Sequence, residues 1–201
     1  MRQRSFNKAG ELGMKKALVI FASPHKKGPT AKLLEHFLSG LSAEEWETET
    51  LDVCKTAIRP CVACGACKAK DGCVYSDLDA FDAAFRTCDL VVIASPVYNL
   101  SFPAQLKALL DRFQRYFEAR FTRGVRPVME KKRRAVLLLS MGKNDDFAVE
   151  VCEKTLRQSF SILNVKLTSV LCLPDTDEGV PMDALVFENA RMKAIEIENE
   201  L

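Results

Sequence analysis

The sequence predicts an α/β domain, a doubly wound parallel sheet with helices on both faces. Three observations carry this. Lys16-Ala-Leu-Val-Ile-Phe-Ala22, Asp89-Leu-Val-Val-Ile-Ala-Ser95 and Ala135 to Ser140 are continuous apolar runs, the pattern of strands buried on both sides. Stretches with helical apolar spacing lie between them. Pro24 and Pro96 bound the first two of these runs at their carboxyl ends, where loops are expected.

Length and composition agree with that class. The 201 residues suit one domain with a sizeable core, and 48% hydrophobic and 28% charged residues are ordinary for a globular chain. A formal net charge of +2 does not by itself point to nucleic acid. No apolar run approaches the ~18 residues of a membrane span. Residues 1–14 read as an N-terminal extension with Arg2, Arg4 and Lys8 and no apolar segment behind them, so no secretory signal is expected. Residues 15–201 then form a single domain, expected in the cytoplasm, and the eight cysteines read as thiols or metal ligands rather than disulfides. Cys54, Cys88, Cys152 and Cys172 lie in apolar patterns and read as small buried hydrophobes.

The first strand ends at Ala22. Leu33, Leu34, Phe37, Leu38 and Leu41 then follow helical spacing. Trp46 to Val53 alternates and predicts a second, more exposed strand. Ser76 or Asp77 is a candidate cap for a short helix that buries Leu78, Phe81 and Phe85. The third strand leads through Pro96-Val-Tyr-Asn99 to Pro103, which suits the first turn of a helix. That helix is expected to bury Leu106, Leu109, Leu110, Phe113 and Phe117. Residues 118–133 read as a polar, basic connection. The fourth strand, Ala135 to Ser140, is followed by a helix carrying Val149, Cys152, Leu156, Phe160 and Leu163 inward. Leu167 to Leu173 is a fifth strand, and Pro181 to Leu201 can close the chain with an amphipathic helix.

The most informative stretch is Cys61-Val-Ala-Cys-Gly-Ala-Cys-Lys-Ala-Lys-Asp-Gly-Cys73. Two-residue gaps between successive cysteines let thiolates turn to one concave side of a tight loop, and Gly65 and Gly72 permit the angles such a loop needs. Cys61, Cys64, Cys67 and Cys73 are therefore candidate ligands of an iron–sulfur cluster. Zinc and metal-free thiols are the alternatives, although zinc sites more often set two pairs of cysteines far apart. No second cysteine run exists, so all four would serve one cluster.

Ligands of doubly wound sheets bind outside the carboxyl ends of the strands. Ser23 to Thr30 leaves a buried strand and enters a helix, whose free N–H groups and dipole suit a phosphate. Ser23 and Thr30 add hydroxyls, His25, Lys26 and Lys27 add cationic groups, and Gly28 lets the backbone approach closely. Neither a Walker loop nor G-x-G-x-x-G is present. An ordinary capped turn is the alternative. Pro96, Val97, Tyr98 and Asn99 are candidates to border a planar ring, with a purely structural turn as the alternative. Nothing marks His25 as a catalytic base, and no catalytic side chain is assigned.

Together these segments resemble the flavodoxin-like NAD(P)H-dependent FMN reductase family. Ala22-Ser-Pro-His-Lys-Lys-Gly-Pro-Thr30 is similar to its Gly-Ser-Pro-Arg-x-x-Gly-Asn-Thr loop. Pro96-Val-Tyr98 followed by Pro103-Ala-Gln-Leu-Lys107 and Asp111-Arg112 is similar to its second motif. The cysteine loop narrows the resemblance to the iron–sulfur flavoprotein branch. His25 replaces the usual Arg and Pro29 the usual Asn, and each replacement removes a side chain that could bond the phosphate.

The resemblance implies a five-stranded sheet of order 2-1-3-4-5. It implies FMN, with its phosphate held by Ser23, His25 and Thr30 and its ring by Pro96 to Asn99; Gly28 and a lysine, Lys27 or else Lys26, are further candidates on the phosphate side. The loop carrying Ser140 and Gly142 would close over the other side. It also implies a [4Fe-4S] cluster beside the FMN on Cys61, Cys64, Cys67 and Cys73, and electron transfer between the two. NAD(P)H or reduced ferredoxin would be the donor, and a protein or small molecule the acceptor. A homodimer or homotetramer is expected, without nucleic-acid or membrane partners.

Overall fold

The computed structural model describes residues 13–177 and 181–201. Most of the expected extension, residues 1–12, lies outside the described residues. The elements run β1 (Lys15–Phe21), α1 (Pro29–Leu38), β2 (Trp46–Asp52), α2 (Ala66–Ala69), α3 (Asp79–Thr87), β3 (Leu90–Pro96), α4 (Ala104–Asp111), α5 (Gln114–Phe121), β4 (Arg133–Ser140), α6 (Asp146–Phe160), β5 (Val165–Leu173) and α7 (Ala184–Glu200).

The five strands are parallel in the order β2-β1-β3-β4-β5. This is the expected order, with the strand sequence reversing beside β1 and β3. Val19 pairs with Val92, and Val92 with Val136, across the middle. Period-two geometry sends alternate residues to opposite faces. Leu18, Ile20, Val91, Ile93 and Leu137 pack beneath α3, α4 and α6, while Val19, Val92, Val136 and Leu138 pack beneath α1 and α7. Both faces are thus covered, which is why the central strands carry no polar alternation. Among the described residues β2 pairs with one strand; it is more exposed, as expected, but its four central residues Glu47 to Thr50 are all exposed rather than alternating.

Local chemistry sets the helix ends. Pro29 opens α1, where its missing N–H is no loss. Asp145 caps α6 by accepting from the Ala148 amide at 3.0 Å, and Asp183 caps α7 through the Leu185 amide at 2.8 Å. Gly40 follows α1 where α7 crosses closest, so a Cβ there would lie 2.3 Å from the Arg191 carbonyl oxygen.

Four expectations need correction. The helix expected after Pro103 is two helices. Arg112 and Phe113 donate their amides to the carbonyls three residues back, at 3.1 and 3.0 Å, which tightens the chain between α4 and α5. As a result Tyr116 is buried, while Phe117 is exposed and lies tilted against Phe121 with ring centroids 4.4 Å apart. The basic connection is also shorter than expected, because α5 continues to Phe121. Its Arg133 is buried, donating to the carbonyls of Phe85 and Leu163, and Arg123 and Lys131 pair with Asp71 and Asp89. Neither Ser76 nor Asp77 caps α3, whose N-cap is Leu78. Leu38 is only half-buried, at the edge of the α1 face.

Candidate functional site

Two places gather the sequence-predicted residues, and they are separate. The first is the carboxyl edge of the sheet. The backbone ladder continues past the strands here. Ala22 donates its amide to the Ala94 carbonyl at 2.8 Å, Val97 to Ser140 at 2.9 Å and Met141 to Leu173 at 3.1 Å. The loops after β1, β3 and β4 are thereby held side by side.

The Ser23 hydroxyl is buried and accepts from the His25 amide at 3.2 Å, closing the turn. A Cβ on Gly28 would meet His25 Cβ at 3.0 Å, so the loop doubles back tightly there. No side chain caps α1, which leaves the Thr30 and Ala31 amides without helical acceptors. Lys26 is spent elsewhere: it pairs with Asp52 at 2.7 Å, donates to the Ser23 carbonyl at 2.9 Å and lies over the Phe21 ring. Lys27 is exposed and makes no ion pair among the described residues, which singles it out of the two lysines. His25 is also exposed. The buried Thr30 and Ser140 hydroxyls bond each other at 2.6 Å, tying the first loop to the end of β4.

After β3, Tyr98 and Ser101 exchange backbone hydrogen bonds at 2.9 and 3.0 Å around Asn99 and Leu100. Asn99 has φ 49° and Leu100 φ 63°. Two positive φ values in the middle of a two-residue hairpin define a type I′ turn. Asn tolerates this, but leucine does so only under strain, and such strain clusters at ligand-contacting loops. The turn presents Tyr98 and Leu100 to solvent above the sheet edge. On the β4 side, Gly142 sits against the Asp177 carboxylate, where a Cβ would lie 2.3 Å from Oδ1. Asp175 accepts from the Asn144 amide at 3.3 Å, which ties the β4 and β5 loops together.

The second place is the cysteine loop. Ala63, Gly65 and Gly72 have positive φ (51°, 75° and 82°), and these left-handed residues coil the loop. The one-turn α2 carries Cys67 inward, while Cys61 and Cys64 are exposed. All four thiols line one cavity of about 380 Å³ with the end of α4 and the inner side of α5. Among the described residues, no three His, Cys, Asp or Glu side chains come close enough to hold a single metal ion. Burial raises the Cys67 pKa, with the charges of Glu118, Cys61 and Cys73 adding to it.

Arg112 and Arg115 form the floor, and the sequence reading missed both as site residues. Arg112 is 3% exposed and holds Asp77 through Nη1 and Nη2 at 3.1 and 2.9 Å. It also donates to the carbonyls of Arg59 at 2.8 Å and Tyr75 at 3.2 Å. Burial works against its charge, but the Asp77 hydrogen bonds and charge outweigh this, and its pKa is raised. Arg115 pairs with Asp82 at 2.6 Å and with the Tyr116 hydroxyl at 2.7 Å. Arginines at i and i+3, with Asp77 and Asp82 five positions apart upstream, were the available signal.

The remaining cysteines behave differently. Burial pushes the Cys88 and Cys172 thiols up to about 11 and Cys152 up to about 12. Such thiols are poor nucleophiles and ligands at neutral pH.

A parallel sheet of this order, with its loops gathered at the carboxyl edge, defines a flavodoxin-like α/β protein. The chain belongs to the NADPH-dependent FMN reductase family, whose model matches residues 15–171. It is 34% identical over 136 residues to an iron-sulfur flavoprotein of Archaeoglobus fulgidus, covering 66% of this chain and 59% of that one. It is 38% identical over 94 residues to an iron-sulfur flavoprotein of Methanosarcina thermophila, covering 46% and 49%. The matches thus span about half the length of these curated relatives. In fold it is similar to an NAD(P)H:quinone oxidoreductase from Methanothermobacter marburgensis, with TM-score 0.66, 21% identity and coverage of 94% and 96% of the two chains. An azoreductase from Bacillus anthracis gives TM-score 0.66 at 18% identity, covering 94% and 100%. No helix among the described residues is long and apolar enough to cross a membrane.

Proposed function

We propose that the protein is an FMN-dependent oxidoreductase in which a [4Fe-4S] cluster in the cysteine pocket exchanges electrons with the flavin. The observation that carries the flavin half is the uncapped start of α1 beside the buried Ser23 and Thr30 hydroxyls, within a chain of the FMN reductase family. The Thr30 and Ala31 amides and Lys27 receive the phosphate there. The Tyr98–Ser101 turn and the loop from Ser140 to Gly142 border the ring. FMN supplies two-electron chemistry, and a cluster takes electrons singly; the chain's own share is to position and insulate both.

The cluster half rests on four thiols around one cavity, with a buried guanidinium in its wall. The relatives' names agree with the cluster. Arg112 and Arg115 offset the negative charge of a thiolate-ligated cluster.

NAD(P)H is the donor favoured by the family, with reduced ferredoxin, or another acidic redox protein, as the alternative. Exposed Lys68 and Lys70 beside the pocket would attract such a partner. Assembly as a homodimer or homotetramer and a cytoplasmic location complete the proposal. The test is anaerobic preparation and reconstitution, followed by iron, sulfide and FMN quantification per chain. Four irons, four sulfides and one FMN are expected. Flavin without iron would remove the cluster, and neither would overturn the whole reading.

A further inference from the structure

Arg112 has one donor left over. A guanidinium has five N–H groups. Four are accounted for: Nη1 serves the Arg59 carbonyl and Asp77 Oδ2, and Nη2 serves the Tyr75 carbonyl and Asp77 Oδ1. The fifth, Nε–H, is buried and has no partner among the described residues. Such a donor is destabilising unless something accepts from it.

The surroundings say what that acceptor is. Arg112 lines the cysteine cavity together with Cys73. In the planar fork, Nε–H shares an edge with one hydrogen of Nη2. The Tyr75 carbonyl that Nη2 reaches lies two residues beyond Cys73, so this edge faces the segment that carries the thiol. Asp77 and the Arg59 carbonyl hold the guanidinium from its other sides, so it cannot turn away. The Cys73 charge is also among the influences that favour the charged form of Arg112, after burial, which opposes it, and Asp77.

We propose that Arg112 is a positioning residue for the cysteine pocket, whose Nε–H donates a hydrogen bond to the Cys73 thiolate when that thiolate is an iron ligand. This rests on the cluster reading above and adds a specific consequence. A donor on a ligand sulfur stabilises the more negative, reduced cluster and so raises its reduction potential. Asp77 then acts through Arg112, setting the angle of the donor without reaching the sulfur itself.

The discriminating variant is Arg112→Lys. It keeps the positive charge and can still pair with Asp77, but it lacks the planar fork. In anaerobically reconstituted protein it should retain four irons and one FMN. Its one-electron reduction equilibrium should shift about tenfold toward the oxidised cluster, 59 mV more negative for a one-electron couple. A merely structural staple would lower the unfolding temperature and leave the potential unmoved. An unchanged potential in a folded, iron-loaded Arg112→Lys protein overturns the proposal and leaves the cluster reading standing. No iron in the wild type overturns both. Should Arg112→Lys fail to fold, protein carrying arginine labelled with nitrogen-15 at Nε decides the question. The reduced cluster should then show a nitrogen-15 hyperfine coupling that persists in an Arg115→Lys background, and its absence overturns the hydrogen bond.

Discussion

Thr30 in the first turn of α1 and Ser140 at the last residue of β4 join their hydroxyls at 2.6 Å in a buried contact. The residues are far apart in sequence, yet this bond links the proposed phosphate loop to the loop proposed to cover the flavin. Thr30→Val leaves the Ser140 hydroxyl buried without a partner. It should cost about 1–3 kcal/mol in urea unfolding, and the Thr30→Val/Ser140→Ala double variant should recover part of the loss, since removing both polar partners is cheaper than removing one. If the double variant loses the sum of the two single losses, the hydroxyls are not coupled.

The α4 face offers a cleaner energetic contrast. Leu109 is fully buried beneath the sheet, whereas Leu38 is half-buried at the end of α1. Leu109→Ala should lose about 2–5 kcal/mol. Leu38→Ala should lose clearly less, because the vacated space opens to water. Chemical denaturation of both variants checks the order, and equal losses would mean that the two helix faces are buried alike.

Gly40 tests the close crossing of α1 and α7. An added Cβ would lie 2.3 Å from the Arg191 carbonyl oxygen and 2.8 Å from Ala194 Cβ, and backbone cannot step aside as a side-chain tip can. Gly40→Ala should cost about 1–3 kcal/mol or more through overpacking. Gly13→Ala meets nothing within 4 Å among the described residues and should stay within about 0.5 kcal/mol of wild type.

How much of this was legible in the sequence varies by element. Val91, Val92 and Ile93 announce a strand buried on both sides because no polar residue interrupts them, and the central strands were readable for that reason. The loops at the carboxyl edge followed from the topology. The break at Arg112 did not, because apolar spacing continues through Phe113 and Phe117 as if one helix ran on. What accompanies the break is not visible locally: Asp77 and the carbonyls of Arg59 and Tyr75 hold the Arg112 side chain there. The same capture explains why Asp77 does not cap α3. Spacing marked the four cysteines, but the buried arginines beneath them depend on pairings across the chain that no local pattern encodes.

The Asp77–Arg112 pair also sets a pH dependence. Burial tends to raise the Asp77 pKa, but the Arg112 hydrogen bonds lead the opposing influences, and the net shift is downward. A carboxylate with a depressed folded-state pKa contributes stability above its unfolded value, about 3.9 for Asp, and loses it as pH falls through the folded value. The pair should therefore hold the cysteine segment at full strength near neutral pH and release it below about pH 4. Hydrogen exchange of the amides from 59 to 77 across that range reads it directly. Asp77→Asn should show faster exchange already at pH 7 and a flatter acid profile than wild type. An acid profile in Asp77→Asn as steep as that of wild type would place the titration on another group.

The cysteines themselves divide into two groups by environment, and the division can be tested one thiol at a time. Cys61, Cys64, Cys67 and Cys73 line the shared cavity, whereas Cys88 and Cys152 lie within the core and Cys172 packs against it. A cubane cluster takes one thiolate per iron, so losing any one ligand leaves an iron open and the cluster labile. Each of the four Ala variants should then hold markedly less iron after anaerobic reconstitution. Cys172→Ala should keep its iron, since its thiol, raised to about 11, stays protonated at neutral pH. FMN content should be unchanged in all of them, because no residue lining the cysteine cavity belongs to the loops at the sheet edge. Full iron in Cys64→Ala would remove Cys64 from the ligand set. Equal iron loss in Cys172→Ala would show that spacing grouped the wrong thiols, and loss of FMN together with iron would mean that the two sites fold as one.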